Sequence, residues 1–198
     1  MTKTFVSGRI IKRYEIPLKE IEELNNAFDK RKNTFKSKGP KLAGRIDTEL
    51  EVNNLIVTLP IMQTIENFMN DYMMTLNNFG LANRPVYNLN ILTMWINDMK
   101  PNEYNPPHTH HDGTGWSTVL FLKVPEFIND AKDPHKFHDG QLGFIGIDGE
   151  SCTWMTPKVG DFYIFPACHQ HCVMPFKTKN KGDVRRSMSF NFIEKIES

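Results

Sequence analysis

From Val86 to the C-terminus, no stretch of this 198-residue chain carries a helical apolar period over the roughly 10–15 residues that a crossover helix needs. A doubly wound parallel sheet is therefore disfavoured, because its strands are joined by such helices. The region instead holds short runs rich in Ile, Val, Leu, Phe, Trp and Thr. These are Tyr87 to Ile96, Ser117 to Lys123, Gln141 to Ile147, Asp161 to Phe165 and Arg186 to Ile193, separated by Gly, Pro, Asn and Asp. Strands punctuated in this way predict a sandwich or a barrel.

The part before it reads as helical. Leu18, Ile21, Leu24 and Phe28 recur at three- and four-residue intervals after Pro17, which predicts an amphipathic helix with a proline near its start. A stronger one follows Thr58, a candidate cap, and Pro60. Its stripe is Ile61, Met62, Ile65, Phe68, Met69, Tyr72, Met73 and Leu76, and it stops before Gly80. The methionines read as core packing. Lys30 to Pro40, basic and polar, reads as a mobile loop. The expected architecture is one domain over residues 1–198, mainly β, with helical decoration over about 1–80 packed on one outer sheet face of a β core over about 86–195.

Composition narrows the function. Lys+Arg at 24 against Asp+Glu at 23 leaves no charge excess for a polyanion, so direct nucleic-acid binding is not expected. The longest apolar stretch, around Thr118 to Val124, is far below the roughly 20 residues that span a bilayer, and the N-terminus lacks an apolar signal core. A soluble, cytoplasmic protein is expected. Cys152, Cys168 and Cys172 form no paired framework and suit a reducing compartment, and a Cys/His zinc site around Cys168 and Cys172 is the weaker reading.

All seven histidines lie between positions 108 and 171. Two clusters bracket that span: Pro107-His108-Thr109-His110-His111-Asp112-Gly113 and Phe165-Pro166-Ala167-Cys168-His169-Gln170-His171. Neutral imidazole is the commonest protein ligand for iron, zinc and copper, and strands far apart in sequence can bring such ligands together. In an extended Asn105 to Asp112, the side chains of His108, His110 and Asp112 share one face. The second cluster follows Gly160-Asp161-Phe162-Tyr163-Ile164-Phe165-Pro166, a turn, a short strand and a proline stop, and presents His169 and His171. His135 and His138, in the polar insertion Glu126 to Gly140, read as loop residues, with a substrate lid as the alternative.

The last strand alternates, with Arg185, Ser187, Ser189 and Asn191 on one face and Met188, Phe190 and Phe192 on the other. Its polar face meets either solvent or a polar cavity. In a cavity, the guanidinium fork of Arg185 and the hydroxyl of Ser187 suit a buried carboxylate. Arg186, of opposite parity, is expected to tolerate alanine far better than Arg185. Trp95, Tyr104, Trp116 and Phe162 are candidates for an aromatic wall, although strand aromatics are more often core.

In this order, His-x-His/Asp, the Gly-Asp-x-x-x-Phe-Pro strand, a later His and Arg-x-Ser, the chain resembles the double-stranded β-helix (jelly-roll) oxygenases that use Fe(II) and 2-oxoglutarate. Trp95-Ile96-Asn97, Glu103-Tyr104-Asn105-Pro106-Pro107-His108-Thr109-His110, Ser117-Thr118-Val119, Phe165-Pro166, His171 to Phe176 and Arg185 to Asn191 are similar, more narrowly, to a branch found in phages and marine bacteria. Leu42-Ala43-Gly44-Arg45-Ile46 resembles that branch's N-terminal signature, so the likeness covers most of the chain from about residue 41.

The resemblance implies a jelly-roll core holding iron on two histidines and usually one carboxylate, with 2-oxoglutarate chelated beside them and its distal carboxylate on Arg185 and Ser187. Its implied chemistry is oxidative decarboxylation to succinate and carbon dioxide, coupled to hydroxylation of an unactivated C–H bond. The family's usual His-x-Asp spacing fits both His110-His111-Asp112 and His108-Thr109-His110. The branch's His-x-His favours His108 as first ligand, leaves His110 or Asp112 as the next, and points to His171 as the distal one, with His169 behind it or at the surface.

A cupin-like metalloprotein, an isomerase or a small-molecule binder with His108, His110 and His171 on a divalent metal, is the alternative. The absence of a Glu four or five residues after His110 and the Arg185-x-Ser187 strand count against it. A jelly roll that only binds a partner is the third reading. The substrate, small-molecule or peptidyl, is not legible. A homodimer through the N-terminal helices would cover the methionine stripe if nothing else does.

Overall fold

The computed structural model describes residues 3–6, 9–81, 88–110, 113–128 and 138–194. Its strands are β1 (Lys3–Val6), β2 (Ile10–Glu15), β3 (Lys36–Ser37), β4 (Glu49–Glu51), β5 (Leu89–Met99), β6 (Asn105–His108), β7 (Trp116–Lys123), β8 (Leu142–Ile145), β9 (Cys152–Met155), β10 (Asp161–Pro166), β11 (His171–Val173) and β12 (Arg185–Glu194). Two helices, α1 (Leu18–Arg31) and α2 (Ile61–Asn78), complete the scaffold. The strands form an eight-stranded sheet in the order β1-β2-β10-β7-β12-β5-β4-β3 and a four-stranded sheet in the order β6-β11-β8-β9. This is the expected mainly β jelly roll, with both helices on the outer face of the larger sheet.

Period-two alternation sorts the larger sheet's side chains between two cores. Leu120, Leu122, Phe162, Ile164, Met188, Phe190 and Phe192 face the helices. Val119, Phe121, Tyr163 and Phe165 face the smaller sheet, where they meet Leu142, Phe144 and Val173. From α2, Ile61, Ile65, Met69, Tyr72, Met73 and Leu76 are buried, each worth roughly 1.5–3 kcal/mol relative to exposure. The methionine stripe is thus covered within the chain and gives no reason for a dimer. α1 buries Ile21, Leu24 and Phe28, whereas Leu18 is exposed.

Several expectations change. Thr58 is not the cap: α2 starts at Ile61 behind Pro60, with no side-chain cap hydrogen bond. Lys30 to Pro40 is not a featureless loop, since 3-10 turns at Lys32–Thr34 and Gly39–Lys41 flank β3, which pairs with β4. The N-terminal segment is also more than helical decoration, because it contributes β1 to β4 to the larger sheet.

Arg186 is no neutral position either. Its Nε and Nη2 donate to Asp98 Oδ1 and Oδ2 at 2.5 and 2.9 Å, and its Nη1 reaches Asp29 at 2.8 Å and Asn25 at 3.1 Å. Lys32 also pairs with Asp98. A buried clamp therefore joins β12, β5 and α1.

Candidate metal centre

Antiparallel pairing of β6 with β11 sets His171 directly opposite His108. His110, two residues past the end of β6, is pinned by its own N–H donating to the carbonyl of Ala167 at 2.9 Å, just beyond β10. Ligand atoms of His108, His110 and His171 consequently lie within 4.8 Å of one another. His108 Nδ1 donates to Pro106 O at 2.8 Å and His171 Nδ1 to His169 O at 2.9 Å. Because a carbonyl only accepts, these bonds place the proton on Nδ1 and leave the Nε2 lone pair of each ring free to bind a metal. His171 Nε2 and His110 Nε2 stand 3.0 Å apart. A shared cation satisfies that convergence of acceptors, and three imidazoles form a donor set suited to Fe(II).

Burial lowers the pKa of all three rings; His110, with the His108 charge as a further cause, is pushed down to about 3, and His171 lies well below the usual histidine range. Neutral imidazole is the form that binds a metal. His169 is not at the surface: it is fully buried, its Nε2 meets Ile145 O at 3.0 Å, and its carbonyl orients His171. His138 stacks on Trp154 at 4.2 Å and bonds Gln141 at 2.8 Å, away from the trio. Asp112, His111 and His135 lie outside the described residues.

The trio opens into a cavity of about 380 Å³. The polar face of β12, Arg185, Ser187, Ser189 and Asn191, forms another wall. Arg185 is 2 % exposed, lies over the Phe121 ring at 4.6 Å, and has no partner for Nε or Nη2 among the described residues. Burial pushes its pKa down to about 9. Buried guanidinium donors without an acceptor are costly, and a ligand carboxylate would supply what is missing.

Of the four aromatic candidates, only Trp95 lines this cavity, with its ring on His110 at 5.6 Å. Trp116 packs on Phe192 at 5.3 Å and Phe162 joins the helix-side core, while Tyr104 is exposed. Sequence reasoning missed two further lining residues, Glu49 and Asn97, which face each other across β4 and β5. A three-residue strand is too short to show a period.

Residues 93–191 match the model of the family described as "Putative 2OG-Fe(II) oxygenase". Among solved structures, the chain is similar to a Pseudomonas putida prolyl-4-hydroxylase, at 16% identity and a TM-score of 0.59, covering 92% of this chain and 91% of that one. It is also similar to a Trichoplax adhaerens prolyl hydroxylase in complex with a hypoxia inducible factor peptide fragment (10% identity, TM-score 0.62, 96% and 84% covered). A third is the viral collagen prolyl hydroxylase of Paramecium Bursaria Chlorella virus-1 (12%, 0.58, 92% and 94%). At these identities the structures establish the fold alone. No curated protein matches the chain. No helix among the described residues is long and apolar enough to cross a membrane.

Proposed function

The chain belongs to the 2-oxoglutarate- and Fe(II)-dependent oxygenases, and on that premise we propose that His108, His110 and His171 hold the iron while Arg185 and Ser187 hold the distal carboxylate of 2-oxoglutarate. The observation that carries this reading is Arg185, a buried guanidinium whose Nε and Nη2 have no partner among the described residues, in the cavity that the three imidazoles also line. Bound iron supplies the redox chemistry: one oxygen atom of O2 enters the succinate formed from 2-oxoglutarate with loss of carbon dioxide, and the other converts a substrate C–H to C–OH.

The chain's own groups bind, orient and exclude water. Pro106 O and His169 O hold the tautomers of His108 and His171, and hydrogen bonds of this kind fix ring orientation at metal sites. Trp95, Phe144 and Phe165 wall the imidazoles in, with Phe165 edge-on to His171 at 4.8 Å. Asp112 remains a candidate ligand from its spacing after His110. Three neighbours in fold are prolyl hydroxylases, one of them with a peptide bound, which supports a peptidyl substrate over a small metabolite. Purified protein given Fe(II), 2-oxoglutarate and O2 tests the assignment. Succinate is expected even without a primary substrate and is to be lost in His171→Ala; succinate formation undiminished in that variant overturns the ligand set.

A further inference from the structure

Glu49 is 1 % exposed, faces the cavity, and has no hydrogen-bond partner for either carboxylate oxygen among the described residues. Its register neighbour Asn97 is buried and also presents an unpartnered oxygen, Oδ1. The segment carrying Leu42-Ala43-Gly44-Arg45-Ile46 lines the same cavity and lies against Glu49. A Cβ on Gly44 would stand 2.7 Å from Glu49 Oε1, and one on Gly39 would stand 3.3 Å from Oε2. Glycine at 44 thus lets the main chain close over a carboxylate that it does not hydrogen-bond. Trp95, two residues before Asn97 on the same strand face, separates this corner from His110.

We propose that Glu49 and Asn97 bind a cationic nitrogen group of the primary substrate, a primary ammonium or a guanidinium; this rests on the oxygenase reading above for the identity of the cavity. The buried, unpartnered oxygens of two neighbouring residues, Glu49 Oε1 and Oε2 and Asn97 Oδ1, call for a ligand made of donors. A positive one is favoured because it also balances the charge of a buried carboxylate. Ser187 stands opposite Asn97, with Arg185 two residues before it on the same face of β12, so the cation would lie beside the 2-oxoglutarate carboxylate in the same cavity; the Glu49 pKa is raised to about 7 by burial and then by the Glu103 charge. Of the lysines on the cavity wall, Lys38 is engaged by Glu51 and Thr93 at 3.3 and 3.0 Å, and Lys41 is exposed at the rim.

Binding of lysine, arginine and their Nα-acetyl amides, against the neutral isosteres norleucine and citrulline, tests this by titration calorimetry of the metal-loaded protein with 2-oxoglutarate and without oxygen. The cations are expected to bind at least about tenfold tighter than the isosteres, with the advantage lost in Glu49→Gln and in Glu49→Ala. Stronger binding of the capped forms would identify a peptidyl source, and of the uncapped forms a free amino acid. Equal binding of cation and isostere, or a preference that survives both Glu49 variants, overturns the inference even if succinate is formed. Glu49-dependent cation binding without any succinate formation upholds it and overturns the oxygenase assignment instead.

Discussion

A guanidinium only 2 % exposed, with no partner for Nε or Nη2 among the described residues, raises the free energy of the folded chain, so Arg185 gains most when a carboxylate reaches it. Truncating one partner of such a buried charged pair costs roughly 2–5 kcal/mol, or about 30-fold and upward in affinity. Arg185→Ala is accordingly expected to raise KM for 2-oxoglutarate at least about 30-fold while iron affinity stays nearly unchanged. Steady-state kinetics beside an iron titration checks it, and an equal loss of both would place Arg185 in the metal site. The histidines should behave in the opposite sense. His108→Ala or His171→Ala is expected to remove bound iron from a folded protein, because one lost ligand of three cripples a mononuclear site; metal analysis after desalting decides. Between the two remaining candidates, His110→Ala should weaken iron more than Asp112→Ala, since His110 Nε2 already stands 3.0 Å from His171 Nε2. Iron loss confined to the Asp112 variant would reverse that choice.

At the scale of the element, β12 carries both layers of the molecule in one alternation. Arg185 and Ser187 turn to the cavity, while Arg186 turns to α1 and holds Asp98 through two hydrogen bonds. Removing one partner of a buried ion pair costs about 3–5 kcal/mol, so Arg186→Ala should lower the urea midpoint sharply without altering KM for 2-oxoglutarate. Burial alone would raise the Asp98 pKa, yet Arg186 and Lys32 together bring it below the ordinary carboxylate value. The folded pKa is the lower one, so this stabilisation is complete above the unfolded value near 3.9 and is lost as pH falls through the folded value. Asp98→Asn leaves Arg186 and Lys32 without that counter-charge at every pH, so it starts from lower stability and its acid unfolding, followed by fluorescence, should begin at higher pH. The parity of β12 was legible because ten residues display a period. What lay under each face was not, since Asp98, Asp29 and Phe121 are brought there by pairing and packing across 64 or more residues of sequence in each case. β4 was unreadable for a related reason, since three residues show no period, and β6 was reached only by taking Asn105 to Asp112 as extended for its histidine spacing, because Asn-Pro-Pro-His carries none of the residues by which strands are recognised. His108, His110 and His171 stood out by chemistry alone, whereas Glu49 in a Glu-Leu-Glu triplet looks like any solvated edge.

Over the whole molecule, the two sheets supply different halves of the site. His108 and His171 stand on the smaller sheet and Arg185 and Ser187 on the larger. A metal with 2-oxoglutarate would therefore link sheets that otherwise meet through apolar packing, and a ligand bound only by the folded state stabilises it by mass action. At a free concentration about 100 times Kd the gain is roughly 2.7 kcal/mol, which for a chain of this length moves Tm by about 5–10 °C. Mn(II), which suits the same ligands without turnover, is expected to raise Tm, and 2-oxoglutarate to raise it further. In Arg185→Ala the Mn(II) increment should persist and the 2-oxoglutarate increment shrink, whereas in His171→Ala both should vanish, because 2-oxoglutarate then lacks the metal that chelates its other end. Differential scanning fluorimetry of the three proteins separates the contributions. A 2-oxoglutarate increment of the same size in Arg185→Ala would show that the cosubstrate does not reach across to β12, and the two halves of the cavity would then serve different ligands.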